Sequence, residues 1–306
     1  MRYAISILFL MCFLVTVKGQ HSPIYSQYLM DGLAINPAYA GSRDVLTTSL
    51  RVRKQWLNFP GSPLTQSLSA HMPLRNKSLA VGLLLSNEKI GVQNNISFFG
   101  NYAYRIRVNS GMLAFGLKAG FELFKENDSQ LTLENPGDYV FSNNASYLLP
   151  NFGFGMYFSN AKYFLGVSIP ELLSYREASK GLGYEFYNDP KNYNILLSGG
   201  YLFPVNEFLR IKPSTLLRYS INSTLQYDLN LNAILLRDAS LWIGASYRVK
   251  DAVVGILEYQ INTQLRTGLS YDYTLSALSK YSSGSVEFSV RYEFKYIVKA
   301  LNPRFF

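Results

Sequence analysis

Two histidines, His21 and His71, and a single cysteine, Cys12, are the side chains whose chemistry is most often catalytic. His71 shares its alternation with Ser67 and Ser69, a spacing that puts a nucleophile and a base on one face of a strand. A Ser–His hydrolase also needs an acid or amide to orient the imidazole, and no carboxylate neighbours His71 in sequence. Two histidines without clustered acids or thiols do not build a structural metal site, and no glycine-rich phosphate loop occurs. The chain therefore reads as a non-enzyme without a cofactor, and His71 as a hydrogen-bonded interior histidine.

A larger charged set recurs at alternate positions within apolar segments. It comprises Arg51, Arg53, Arg105, Lys118, Arg210, Lys212, Arg218, Arg248, Arg266 and Arg291, with Glu122, Asp228, Asp272 and Glu287 on the same faces. With Arg2 and Lys18 set aside, 27 basic side chains face 20 acidic ones. They are spread singly and form no basic stripe, which excludes nucleic acid as a sensible partner. Arg53, Arg105, Lys118, Glu122, Lys212, Asp272 and Arg291 are the leading candidates for a polar interior. A salt-bridged, packed interior is favoured over an anion pathway.

The elements that must position these charges announce themselves by their period. From Arg43 to Phe294 apolar and polar residues alternate in segments of about ten residues, the length and period of transmembrane β-strands. Leu113, Phe115, Leu117, Ala119, Phe121 and Leu123 interleave with Ala114, Gly116, Lys118, Gly120 and Glu122. Aromatics at 15% and charges at 16% suit a barrel with aromatic girdles, for which Trp56, Phe59 and Phe99 are candidates. The expected fold is all-β: a transmembrane antiparallel barrel of about fourteen strands, as turn signals divide the chain. Those strands are 44–56, 64–74, 79–86, 95–106, 112–124, 151–159, 163–169, 193–203, 208–219, 224–235, 241–248, 252–261, 265–273 and 285–294. Long loops are expected at 125–149 and 170–191. Short turns at 75–77, 109–111, 160–162, 204–207, 237–240 and 262–263 would be periplasmic, and an even strand count leaves both barrel ends on that side. Pro213, inside a strand, predicts a bulge or kink. Gly82, Gly116, Gly120, Gly153 and Gly155 face inward and leave room for a bulky neighbour or sharp curvature.

Residues 1–19 read as an export signal: Arg2, an apolar run Ala4–Val17, and cleavage before Gln20. Cys12 lies within it, so the exported chain carries no thiol chemistry. Residues 20–42 form a separate N-terminal segment, a plug or a periplasmic mouth, and 43–306 the barrel with a C-terminal tail after Phe294. The implied address is the outer membrane of a Gram-negative bacterium, reached by Sec export, with outer-membrane lipid as surroundings.

The N-terminal blocks Tyr25-Ser26-Gln27-Tyr28-Leu29-Met30 and Asn36-Pro37-Ala38-Tyr39-Ala40-Gly41-Ser42 carry a more specific signal. With Arg53-Lys54-Gln55-Trp56, Phe59-Pro60-Gly61-Ser62-Pro63, Lys212-Pro213-Ser214, Trp242-Ile243-Gly244-Ala245-Ser246-Tyr247-Arg248 and Arg291-Tyr292-Glu293-Phe294, the chain resembles the PorP/SprF family. That family belongs to the type IX secretion and gliding apparatus of Bacteroidota. The resemblance implies an outer-membrane barrel that supports delivery or surface anchoring of a secreted adhesin-like protein. The alternative it leaves is a core component docking the periplasmic ring and peptidoglycan-linked proteins, and the basic lumen positions leave a solute channel as a third reading. Tyr25, Gln27, Tyr28, Asn36, Pro37, Tyr39 and Gly41 are candidates either for binding a partner or for plugging the lumen.

Overall fold

The computed structural model describes residues 25–126, 145–177, 184–222, 225–236 and 240–294. The export signal, His21 and the tail after Phe294 lie outside the described residues. Alternating lipid-facing and lumen-facing side chains extend the backbone into β1 (Leu46–Lys54), β2 (Leu64–Pro73), β3 (Leu79–Ile90), β4 (Gln93–Val108), β5 (Gly111–Glu126), β6 (Ala145–Ser159) and β7 (Tyr163–Ile169). A small hairpin, β8 (Ser174–Glu177) with β9 (Tyr184–Tyr187), stands apart. The wall resumes with β10 (Ile195–Tyr201), β11 (Phe203–Pro204), β12 (Leu209–Tyr219), β13 (Gln226–Leu235), β14 (Leu241–Arg248), β15 (Ala252–Gln260), β16 (Leu265–Thr274) and β17 (Ser285–Phe294).

Each wall strand pairs antiparallel with its sequence neighbours, and β11 continues the line of β10 along β12. The ring closes where β1 meets β17, from Leu46 opposite Phe294 to Lys54 opposite Val286. Closure pairs the first wall strand with the last, so the sheet has no terminal edge strand, the requirement that restricts spanning β-structure to barrels. The result is a closed antiparallel barrel of fourteen strands, with β11 counted as part of β10.

Its burial pattern is that of a globular protein turned inside out. In β1, Thr47, Ser49, Arg51 and Arg53 are buried whereas Leu50 is 48% exposed on the outer face. In β5, Lys118 is buried and Leu117 is 58% exposed. An apolar exterior is stable only against hydrocarbon, and a charged interior only when its groups find partners.

Four local expectations change. Strands β3 to β6 run longer than predicted: β6 starts at Ala145, so the first long loop is shorter than 125–149. The polar residues Asn94, Asn95 and Ser146 still pair across the ladder, because strands projecting beyond the apolar layer need no alternation. The second long loop is partly ordered by β8 and β9 and by a one-turn 3-10 helix, Pro190–Asn192. Pro213 makes no bulge: β12 stays in unbroken register with β13 from Leu209–Leu235 to Arg218–Gln226. The lost donor shows on its other side, where the ladder lapses at Leu202 between β10 and β11.

Candidate functional site: the occupied lumen

Residues 25–44 run through the inside of the barrel. Two short turns shape the path: a 3-10 turn at Gly32–Ala34, capped by Asp31, and another at Pro37–Tyr39, capped by Asn36. Asn36 is well suited to its place, since its Oδ1 accepts from Ala38 N at 2.9 Å and Pro37 sets the first turn position.

The level at the opposite end from the short turns is an ion-pair network shared between segment and wall. Glu287 accepts hydrogen bonds from the backbone N–H of Ser26 (2.8 Å) and Gln27 (3.0 Å) and pairs with Arg53 (3.1 Å) and Arg51 (3.3 Å). Asp272 accepts from Ser26 Oγ and pairs with Arg53 (2.7 Å) and Arg248 (3.3 Å). Asp228 sits between Arg248 (3.3 Å) and Arg218 (3.6 Å). Four arginines thus meet three wall carboxylates plus Asp31 and Asp251, so charge at this level is compensated within the lumen. The Arg51 guanidinium lies 4.5 Å from the Tyr25 ring centre. Burial pushes the Tyr25 phenol up to about 12, which keeps the ring a neutral cation–π partner. Tyr28, buried beside Asp228, is raised too, and its hydroxyl accepts from Asn230 Nδ2.

The middle level is a backbone seat. Gln27 bonds the Glu287 carbonyl (2.9 Å) and Ser289, Asp31 accepts from Ser69 Oγ (2.6 Å), and Arg291 donates to the Met30 carbonyl (2.8 Å). Ser168 donates to the Ile35 carbonyl (2.6 Å), and Asn36 Nδ2 to that of Met156 (2.9 Å). His71 Nδ1 accepts from Gly41 N (3.1 Å), with Tyr39 edge-on to the imidazole. The bulky neighbour of Gly82, Gly116 and Gly155 is this segment, whereas a Cβ at Gly120 would meet Phe98 O and one at Gly153 Pro170 O. A Cβ at Gly116 would lie 2.1 Å from Ala38 N, and one at Gly155 2.1 Å from Asn36 Oδ1.

The third level lies toward the short-turn ends of the strands. There a cavity of about 120 Å³ remains between segment and wall, lined among others by Arg43, Tyr157, Phe164, Lys212, Trp242, Glu258, Arg266 and Arg291. Arg43 binds Glu293 (2.8 Å), and Arg266 binds Glu258 (3.3 Å) and lies 4.4 Å over Trp242.

Among the sequence candidates, the structure brings Tyr25, Gln27, Tyr28, Arg53 and Asp272 into or against the network, and Asn36, Pro37, Tyr39 and Gly41 into the seat. Lys212 and Arg291 border the cavity. Arg105 instead pairs with Asp44 (2.8 Å), and Lys118 and Glu122 form another cluster, with Lys118 Nζ 3.8 Å over Phe99 and Glu122 accepting from Asn95 (3.0 Å). Phe99 is thus a lumen residue, 2% exposed, and not a girdle aromatic. Its alternation with Ser97, Asn101 and Arg105 carried that signal. Arg210 is exposed beyond the short-turn end. Ser26, Asp31, Arg43, Trp242 and Glu258 were not among the sequence candidates. Glu258 and Trp242 share the inward alternation of Val254 and Ser246, whereas nothing local marks Ser26 or Asp31.

A closed barrel, apolar outside and charged within, with its own N-terminal segment threaded through the lumen, is an outer-membrane protein of the occupied-barrel type. Solved structures similar to it include the CymD monoaromatic hydrocarbon channel, at 11% identity and a TM-score of 0.53, covering 89% of this chain and 94% of that one. The Ralstonia pickettii toluene transporter TbuX is similar at 10% identity and a TM-score of 0.52, covering 91% and 96%. At such identities they establish the fold alone. No curated protein matches the chain. The model of the family described as type IX secretion system membrane protein PorP/SprF matches residues 17–292, and the chain belongs to that family.

Proposed function

We propose that this outer-membrane barrel serves type IX secretion as a plugged scaffold that supports delivery or cell-surface anchoring of a secreted adhesin-like protein. Family membership across residues 17–292 is the observation that carries the reading. The occupied lumen supports it: the plug fills the interior, and Arg51, Arg53 and Arg248 are spent on internal carboxylates rather than on a conduction path. In this reading residues 1–19 direct Sec export, residues 20–42 are the plug, the short turns face the periplasm and the long loops face outward. His71 has a packing role and no reaction is assigned to it.

The test compares surface and secreted proteomes of cells with and without the gene. Loss of one large adhesin, with other secreted proteins normal, is the expected result. Loss of the whole secreted set would replace anchoring by a core role at the periplasmic ring. An unchanged secretome, with stable anion-selective conductance of the purified barrel in planar bilayers, would refute a secretion role.

A further inference from the structure

The two charged levels of the lumen differ in their balance. In the ion-pair network each wall arginine meets a carboxylate of the lumen or its mouth. Around the short-turn-side cavity, Arg43, Lys212, Arg266 and Arg291 are gathered against Glu258 in the lining and Glu293 at the rim. Glu293 serves both Arg43 (2.8 Å) and Arg291 (3.3 Å), and Glu258 serves Arg266. Lys212 has no such partner among the described residues: its Nζ lies 5.3 Å from the ring centres of both Phe164 and Trp242. An ammonium held between two aromatic faces inside a cavity is placed for an anion that brings apolar surface with it.

We propose that this cavity is a binding socket for a carboxylate side chain flanked by apolar or aromatic residues, presented from the periplasm by an acidic peptide segment of a partner protein. The proposal rests on the orientation given above, which turns the cavity toward the periplasm with Arg43, 37% exposed at its side chain, at the rim. Three features select the ligand class. The surplus of cations asks for negative charge. Tyr157, Phe164 and Trp242 line it with apolar surface. A volume of about 120 Å³ takes a side chain or two and excludes a folded domain. The N-terminal segment roofs the socket through Tyr28, Leu29, Gly32, Ile35 and Tyr39, so a ligand entering from this side stops there. Residues 295–306 carry Lys295, Lys299 and Arg304 and no Asp or Glu, so this chain's own tail brings no acidic side chain to the socket.

The chain has two tryptophans, so a Trp56→Phe variant leaves Trp242 in the socket as the sole indole reporter. Purified barrel is titrated with acetyl-Ala-Phe-Glu-Phe-Ala-amide, its Gln isostere and phenylacetate, following Trp242 emission. The Glu peptide is expected to give a saturable change with an affinity at least ten-fold above that of the Gln peptide. Lys212→Met is expected to abolish that preference while retaining the heat-modifiable mobility of a folded barrel. Arg266→Gln gives a second reading should Lys212→Met fail to fold. Equal binding of the Glu and Gln peptides, or no saturable change with either, overturns the proposal. Phenylacetate binding more tightly than the Glu peptide would assign the socket to a free carboxylate and overturn its peptidic partner. The assay uses isolated protein, so an unchanged secretome in the deletion strain would refute the secretion role and leave a measured socket standing.

Discussion

Gly116→Ala tests the plug with a single methyl group. The new Cβ would sit 2.1 Å from Ala38 N and 2.4 Å from Pro37 C, where ordinary contact begins near 3.4 Å. The obstruction is backbone, so no side-chain rotation relieves it, and the 36–38 turn must lift by about 1.3 Å, the difference between 2.1 and 3.4 Å. That turn is also tied to the same patch of wall, where Asn36 Nδ2 donates at 2.9 Å to the carbonyl of Met156, the neighbour of Gly116's cross-strand partner Gly155. A lift of that size stretches the bond past useful length. Overpacking contributes roughly 1–3 kcal/mol and the broken bond about 1 kcal/mol, a loss of about 2–4 kcal/mol in plug docking. At about 1.4 kcal/mol per decade, the docked-to-undocked ratio falls roughly 30- to 1000-fold. The assay is single-channel recording in planar bilayers, read as the fraction of time spent in a conducting state. Gly255→Ala is the control, because its Cβ would meet nothing within 4 Å on the outer face. Gly116→Ala recordings as quiet as those of Gly255→Ala and of the unsubstituted barrel would refute the seat as the element that closes the lumen.

Glu287→Gln removes the carboxylate shared by two backbone amides and two arginines and should destabilise the folded barrel by about 3–5 kcal/mol in denaturant titrations in detergent micelles. Arg176→Ala, which breaks the exposed Arg176–Glu185 pair, should change the same titration by less than about 1 kcal/mol. Leu117→Arg puts a charge on the lipid face and should lower the folded fraction by a loss of about 2–4 kcal/mol, read as heat-modifiable mobility in gels. His71→Ala leaves Gly41 N without its acceptor and should lower stability by about 1–3 kcal/mol without altering the secretome; loss of secretion by a stably folded variant would contradict its packing role.

Most of the wall was legible in the sequence because hydrocarbon enforces a period of two. Lys118 and Glu122, interleaved with Leu117 and Phe121, carry the two solvents of β5 in plain alternation. The same rule loses its grip where strands leave the bilayer, which is why Asn94 and Ser146 looked like loop residues. Residue type misled where parity would not have: Phe99 has the chemistry of a girdle and the alternation of the lumen. The candidates in the N-terminal segment were legible as a block, through Asn36-Pro37 and its tyrosines. Their anchors were not. Ser26 meets Glu287 across 261 residues, and no local pattern encodes a partner so distant.

That separation bears on how the barrel is made. The segment that fills the lumen comes first in the chain, yet the carboxylates that receive it, Asp272 and Glu287, lie on the last two strands. The β1–β17 seam also joins the first wall strand to the last. Contacts of such long sequence separation form late, after the entropy of closing the loop between them has been overcome. The seat for Ser26 and Gln27 therefore does not exist until β16 and β17 are in place. Sealing the wall and filling its interior become one final event, so an unfinished barrel is also an unplugged one, and a chain cut short before Glu287 loses both at once.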